Sequence, residues 1–399
     1  MSISRHFFYY IPLAVWLCLS LIDIYGFLNR ENIPIYFRAW EYVSNYTGKD
    51  AGFAVFKPMS RYSGTMTGDL LNGIGFSPKP NEIRKQEFIV DEYGYRNQPQ
   101  LLDKPIDAIV LGSSFVAGGQ ETQENLISEI LTRDYNLRTY NSPTSLQYYW
   151  DDYRFKSNTP KYIFVVGTEG EIINSLWKYI IEEKEPYNIP HKWNSYQEWK
   201  AENEQLPNTF EKWAFLFKQY SLTRFASVQL DFKLKNLMYS REEIAKQSTQ
   251  NFVTYDPQSK MLFWQKDFDN PTLGTEGKKT EDIVKSAETL KKSSDQLNMR
   301  GVRLIVVALP SKTHAELETY KNIPDSQNAL IILQKTLKKY EVEVIDMNEA
   351  VEEYKNTHST PLYYPDDSHW NSDTNYLISK KIVEYLNDNT KTKNKKIKR

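Results

Sequence analysis

The stretch Asp107-Ala-Ile-Val-Leu-Gly-Ser-Ser-Phe-Val-Ala-Gly-Gly119 decides how this chain is read. Ile106–Leu111 is a continuous apolar run, the composition of a strand buried on both faces of a parallel sheet. It ends at Gly112, where the backbone can bend sharply, and two hydroxyls follow at Ser113 and Ser114. An α/β fold collects ligands at the carboxyl ends of its strands, so this turn offers a hydroxyl outside the sheet.

Outward from that turn the chain alternates. Leu126, Ile127, Ile130 and Leu131 mark one face of a helix, and Leu137–Tyr140 and Tyr162–Gly167 read as further strands. Val302–Pro310 and Glu341–Ile345 add two more, with helices expected over 281–299, 329–340 and 373–386, the last with Asp373 as its N-cap. Strands alternating with helices specify βαβ units with right-handed crossovers. The fold class is therefore α/β, with a central parallel sheet between helical layers. The pattern breaks between 172 and 280, a region rich in Trp, Lys, Glu and Gln that reads as a helical insertion, a cap or a partner surface. The expected segments are 1–28 (cytoplasmic start and transmembrane anchor), 29–87 (stalk and irregular segment), 88–171 and 281–388 (the two parts of the α/β domain), 172–280 (the insertion) and 389–399 (a basic, solvated tail). Within the second segment, Ser60–Asn81 is rich in Gly, Ser, Thr and Pro and is expected to be irregular.

Composition narrows the function. The 399 residues include 28 Tyr, 19 Phe and 9 Trp, ample material for a core and suited to a carbohydrate-handling surface. A net charge of −1 excludes a general nucleic-acid binder, which needs a strongly basic face. With Cys18 alone there is neither a disulfide framework nor a cysteine metal site, and no motif calls for a cofactor. Phe7–Leu28 is apolar apart from Ser20 and Asp23, near the length needed to cross a bilayer. Arg5 and His6 precede it, which places the N-terminus in the cytoplasm and the rest of the chain outside. No small-residue cleavage site follows, so an uncleaved signal anchor is expected.

The second decisive stretch is Tyr363-Tyr-Pro-Asp-Asp-Ser-His-Trp-Asn371. Nucleophilic serine chemistry needs a base for the hydroxyl proton and a carboxylate to orient the imidazole. Of the five histidines, only His369 has carboxylates at short spacing beside a helix of this domain: Asp367 two residues before it and Asp366 three before. Ahead of the nucleophile turn, Phe88–Asn97 reads as a strand and a turn at Gly94; Arg96 is either a surface residue or a guanidinium that pairs with a carboxylate and braces a nearby loop.

Together the two stretches resemble the SGNH/GDSL hydrolase superfamily. Gly112-Ser-Ser-Phe115 is similar to its first block, usually Gly-Asp-Ser-Phe, and Asp366/Asp367-Ser-His369 is similar to its last. The form Asp367-Ser-His369-Trp370 resembles the alginate-type polysaccharide O-acetyltransferases, as do Asp91–Asn97 and Leu309-Pro-Ser-Lys312. The resemblance implies an SGNH-like three-layer α/β/α sandwich with Ser114 as nucleophile, His369 as base, and Asp367 or Asp366 as the orienting acid. It implies transfer or hydrolysis of an O-acyl group, in particular O-acetyl, on a polysaccharide or other glycan acceptor. The acyl donor would then come from a polytopic membrane partner. The second and third blocks depart from the family pattern, reading Asn141-Ser-Pro-Thr-Ser145 and Gly167-Thr-Glu-Gly170. The oxyanion donors are accordingly sought at the Ser114 amide, Asn141 and Gly167. The alternative function is a non-catalytic polysaccharide-binding or assembly component that keeps the fold.

Overall fold

The computed structural model describes residues 7–29, 56–142, 146, 149, 152–156, 158–174, 191–203, 210, 213–214, 220–247, 253–265, 267, 280–318 and 323–397. Of the stalk expected over Asn29–Lys49, residues 30–49 lie outside the described residues. Helix α1 (Phe7–Leu28) is long and apolar enough to cross a membrane, and its side chains are largely exposed.

Residues 60–81 were expected to be irregular, and the structure differs. Strand β1 (Arg61–Met66) pairs antiparallel with β2 (Arg84–Ile89), and helix α2 (Asp69–Ile74) lies between them in sequence. Gly64 weakens the strand locally, but tertiary packing overrides propensity here. Phe56, Met66, Phe88 and Val90 form a small core beneath this ribbon, and Leu70, Leu71 and Ile74 bury the inner face of α2.

The central sheet follows. Strands β3 (Ala108–Leu111), β4 (Thr139–Asn141), β5 (Tyr162–Thr168), β8 (Arg303–Leu309) and β9 (Glu343–Asp346) are all parallel, in the order β4-β3-β5-β8-β9. The strands are apolar on both sides because both faces are covered. One face packs on α7 (Thr280–Asn298) and α8 (Ala329–Lys339); the other packs on α4 (Ile127–Tyr135) and α9 (Ser372–Ile397). The chain moves from β3 to one neighbour, β4, and then returns to the other, β5. That reversal opens a crevice beside the carboxyl end of β3, where such sheets hold their ligands.

Two smaller expectations are also corrected. The closing helix continues to Ile397 instead of giving way to a loose tail. Asn371, rather than Asp373, supplies the cap to α9: its Oδ1 accepts from Thr374 N at 3.1 Å, while the Asp373 carboxylate takes the Tyr354 hydroxyl at 2.8 Å. Helix α5 (Glu169–Asn174) leads into the 172–280 region, where the described residues include α6 (Leu222–Met238) and a hairpin of β6 (Val253–Asp256) and β7 (Met261–Trp264). The hairpin packs on α2 through Val253 and Leu262. It also donates Leu262 N to Pro365 O at 2.8 Å, so this part of the expected insertion supports the loop that carries His369.

Candidate active site

Helix α3 (Ser114–Ala117) begins directly after β3, with Ser113 as its N-cap. Gly112 is required at the bend, because a Cβ there would collide with Val116 and with the Val166 carbonyl. Ser113 Oγ donates to Glu171 and accepts from Phe115 N at 3.4 Å, so it is turned inward. Ser114 is exposed at the helix start.

The loop 363–371 closes over this turn. Ser114 Oγ lies 2.8 Å from His369 Nε2, and His369 Nδ1 lies 2.6 Å from Asp367 Oδ1. Asp367 Oδ1 also accepts the His369 amide at 2.8 Å, which fixes the carboxylate to the residue it orients. Three side chains from two distant stretches thus make one hydrogen-bonded chain. Trp370 explains its place in the motif: its buried ring packs on Phe115 at 4.4 Å between centroids, and Phe115 lies 4.7 Å from His369.

Asp366 takes a different position. Its carboxylate pairs with Arg84 at 2.7 Å and accepts Gly68 N at 2.8 Å, away from the imidazole. Of the two acids, Asp367 meets the ring and Asp366 anchors the loop. Gly68 is tightly specified, since a Cβ there would collide with the Asp366 carbonyl. The start of α2 thereby receives both carboxylates, with Gly68 N donating to Asp366 Oδ2 and Asp69 N to Asp367 Oδ2 at 2.6 Å, while Leu71 N donates to the Asp366 carbonyl at 3.1 Å. Negative groups are favoured at a helix start, where backbone N–H groups lack partners.

Asp69 is the site residue that sequence reading missed. Its carboxylate accepts Ser368 N and Ser368 Oγ, at 2.8 and 2.5 Å, and stands 4.0 Å from His369 Nδ1. Asp69, Asp367 and His369 offer ligand atoms within 4.8 Å of one another, a spacing that would suit a cation. The carboxylates, however, are already engaged, with Ser368 for Asp69 and with His369 for Asp367.

Burial and charge oppose each other here. Desolvation pulls the His369 imidazolium down, but the carboxylates of Asp367 and Asp69 outweigh it and raise the pKa to about 9. Desolvation raises Asp367, yet His369 and Arg84 hold it down at about 2. Asp69 goes the other way, to about 6, driven up by burial and by Asp367.

Two buried cations hold the frame. Lys312 Nζ donates to the carbonyls of Leu262, Tyr364 and Asp367, each at 2.7 Å, tying the hairpin to the histidine loop. Burial pushes its ammonium down to about 8. Arg96, expected either at the surface or as a loop brace through a carboxylate, is buried and braces the loop through main-chain oxygens. Its guanidinium donates to the carbonyls of Glu87, Ala117, Gly118 and Glu121, locking the segment just after α3, and stacks over Phe88 at 3.8 Å. Burial lowers it to about 9. Asp91 shapes the turn that delivers Arg96, accepting Tyr93 N, Tyr95 N, Asn97 Nδ2 and the Tyr140 hydroxyl.

The three residues named for the oxyanion do not converge equally. The Ser114 amide sits at the first position of α3 and has no partner among the described residues. Asn141 is buried, with its amide on Asn97 Oδ1 at 2.7 Å and its Nδ2 on Val116 O at 3.1 Å, so it braces the turn from behind. Gly167 lies within β5, beside the Glu171 carboxylate.

Residues 262–398 match the model of the family described as SGNH hydrolase-like domain, acetyltransferase AlgX. Over residues 262–398 the chain is similar to the SGNH-like domain of that family. The match spans Lys312 and the whole histidine loop and begins in β7; the Ser114 turn precedes it. No curated protein matches the chain significantly. His369 and Asp367 lie in the matched part, and Ser114 lies on the β3 turn that the parallel sheet brings beside them.

Proposed function

We propose that this chain is a membrane-anchored serine acyltransferase that works outside the cytoplasm on O-acetyl groups of a polysaccharide. The observation that carries the reading is the unbroken path from Ser114 Oγ through His369 to Asp367, at 2.8 and 2.6 Å. Neutral His369 takes the Ser114 proton as Oγ attacks the ester carbonyl, and Asp367 stabilises the resulting imidazolium. The imidazolium then protonates the departing alkoxide, leaving an acyl-serine. An acceptor hydroxyl attacks next, giving its proton to His369; the new ester leaves as the proton returns to Ser114 Oγ. The Ser114 amide supplies one donor to the tetrahedral oxyanion, a contribution of about 100- to 1000-fold in turnover for a single donor.

Transfer rather than hydrolysis is supported by the acetyltransferase family resemblance and by α1, which as a signal anchor would hold the site at the membrane, near a donor delivered there. The family's polysaccharide-modifying character favours a glycan acceptor, and a polytopic membrane protein is the natural source of the acyl group. The discriminating experiment is covalent labelling of the full chain with a serine-directed phosphonate. Stoichiometric labelling at Ser114 is expected; glycan binding by a protein that takes no label would replace this reading with that of a non-catalytic binding component.

A further inference from the structure

Helix α6 joins α1 to the site-bearing domain, and among the described residues one of its faces is uncovered. At its start, Asp23 of α1 accepts Ser221 Oγ at 3.0 Å, Thr223 N at 2.9 Å and Thr223 Oγ1 at 2.7 Å. Phe27 packs there on the rings of Trp213 and Tyr220, at 5.8 and 6.2 Å. Farther along, Phe232 is buried, and Asn236 exchanges hydrogen bonds with Ser77 of the domain at 3.0 and 3.2 Å. The opposite face carries Leu230, Leu234, Leu237 and Met238, spaced i, i+4, i+7 and i+8, the signature of a single helical stripe. They are 58%, 46%, 83% and 63% exposed. Single exposed apolar side chains are ordinary, but four in one stripe mark a surface built for an apolar neighbour.

We propose that this stripe rests in the interfacial layer of the bilayer that α1 enters, so that α6 lies between the site-bearing domain and the lipid. The inference requires α1 to be inserted, as the proposed function also does. Continuity with the span is the first argument. The apolar window of α1 is Tyr10–Leu28, and Asp23 stands about 8 Å from its end at the rise of a helix, so α6 starts near the depth where hydrocarbon meets headgroups. Charge is the second. Helix α6 carries Arg224, Lys233 and Lys235 against one acid, Asp231, which Lys235 pairs at 2.7 Å; the net positive charge that remains suits anionic phospholipid headgroups. The pairing of Asp23 with Ser221 and Thr223 also satisfies a carboxylate that would be costly in a span without partners.

The sole cysteine, Cys18, is exposed on α1 and gives the test an internal control. The full chain is reconstituted in phosphatidylcholine–phosphatidylglycerol vesicles containing doxyl-labelled lipids. A nitrobenzoxadiazole probe is attached at Cys18, or at position 234 in Cys18→Ser/Leu234→Cys, with Cys18→Ser/Met299→Cys as the solvent-facing reference. An unchanged circular dichroism spectrum and thermal transition establish that each variant is folded, and Leu230→Cys in the same background repeats the readout. The Cys18 probe is expected to be quenched by doxyl deep in the acyl chains. The probe at 234 is expected to shift to the blue and lose most of its emission to doxyl near the headgroups, while that at 299 stays water-like. If Cys18 is quenched but 234 behaves like 299, the lipid contact is overturned while the anchor stands, the result a face reserved for another protein would give. If Cys18 itself is unquenched, the anchor and this inference fall together, whatever the fate of the serine chemistry.

Discussion

Ser114→Ala is expected to lower turnover of an aryl acetate by about 10^6-fold, leaving only the residual rate that binding and oxyanion donors provide. The size of the effect follows from geometry. Ser114 Oγ is the one hydroxyl on His369 Nε2, at 2.8 Å, among the described residues. The neighbouring Ser113 cannot replace it, because its hydroxyl donates to Glu171 and caps Phe115 N. The substitution should leave the fold intact, since Ser114 is exposed and its own side chain makes no other hydrogen bond among the described residues. Stability should therefore stay within about 0.5 kcal/mol of the parent. A steady-state assay beside a thermal melt checks both parts; a fall in rate below about tenfold with an unchanged melt would move the chemistry to another group.

Asp367→Asn should cost about 10,000-fold, as expected when the group that fixes the imidazole tautomer is made neutral. Asn keeps the shape but offers the ring an uncharged partner, and it loses the pairing with Arg84 at 4.0 Å. The pH profile carries a second signature. His369 must be neutral to accept the serine proton, and its carboxylate neighbours raise it to about 9 against the pull of burial. Activity should thus climb as pH rises toward 9, and the acid limb should move to lower pH in Asp367→Asn. Asp69→Asn removes the more distant charge, so the limb should move the same way with a much smaller loss of rate. The linkage to stability has the opposite sign. A histidine raised from 6.5 to about 9 contributes its full stabilisation below pH 6.5 and loses it as pH rises through 9. The protein should be most active where this contribution is weakest. Rate profiles and denaturant titrations between pH 6 and 10 read the two trends separately.

The sheet was legible because its strands are short apolar runs between amphipathic helices, a pattern that composition alone imposes on a parallel sheet covered on both faces. The pairing of Ser114 with His369 was legible because few histidines exist and one has acids at loop spacing. What sequence could not reveal are the contacts made by unrelated stretches. Asp69 meets the site across 299 residues, and nothing in Thr67-Gly-Asp69 marks it as functional. Gly68 is informative only once the Asp366 carbonyl is seen against it. The choice between Asp366 and Asp367 depended on Arg84, which draws one acid away and leaves the other for the imidazole. Lys312 was visible as part of a motif, but its carbonyl partners belong to two other segments. The Gly, Ser, Thr and Pro content misled at 60–81, where packing on the domain gives order to a sequence with weak local preference.

The most direct test of the central claim is to trap the acyl-enzyme. The full chain, acid-quenched during turnover of an aryl acetate and digested, is examined by peptide mass spectrometry. An acetyl group on the peptide containing Ser113 and Ser114, assigned to Ser114 by fragmentation and absent from Ser114→Ala, is the predicted result. Continued product release with no acetylated serine, or an acetyl group carried at another residue, would contradict it.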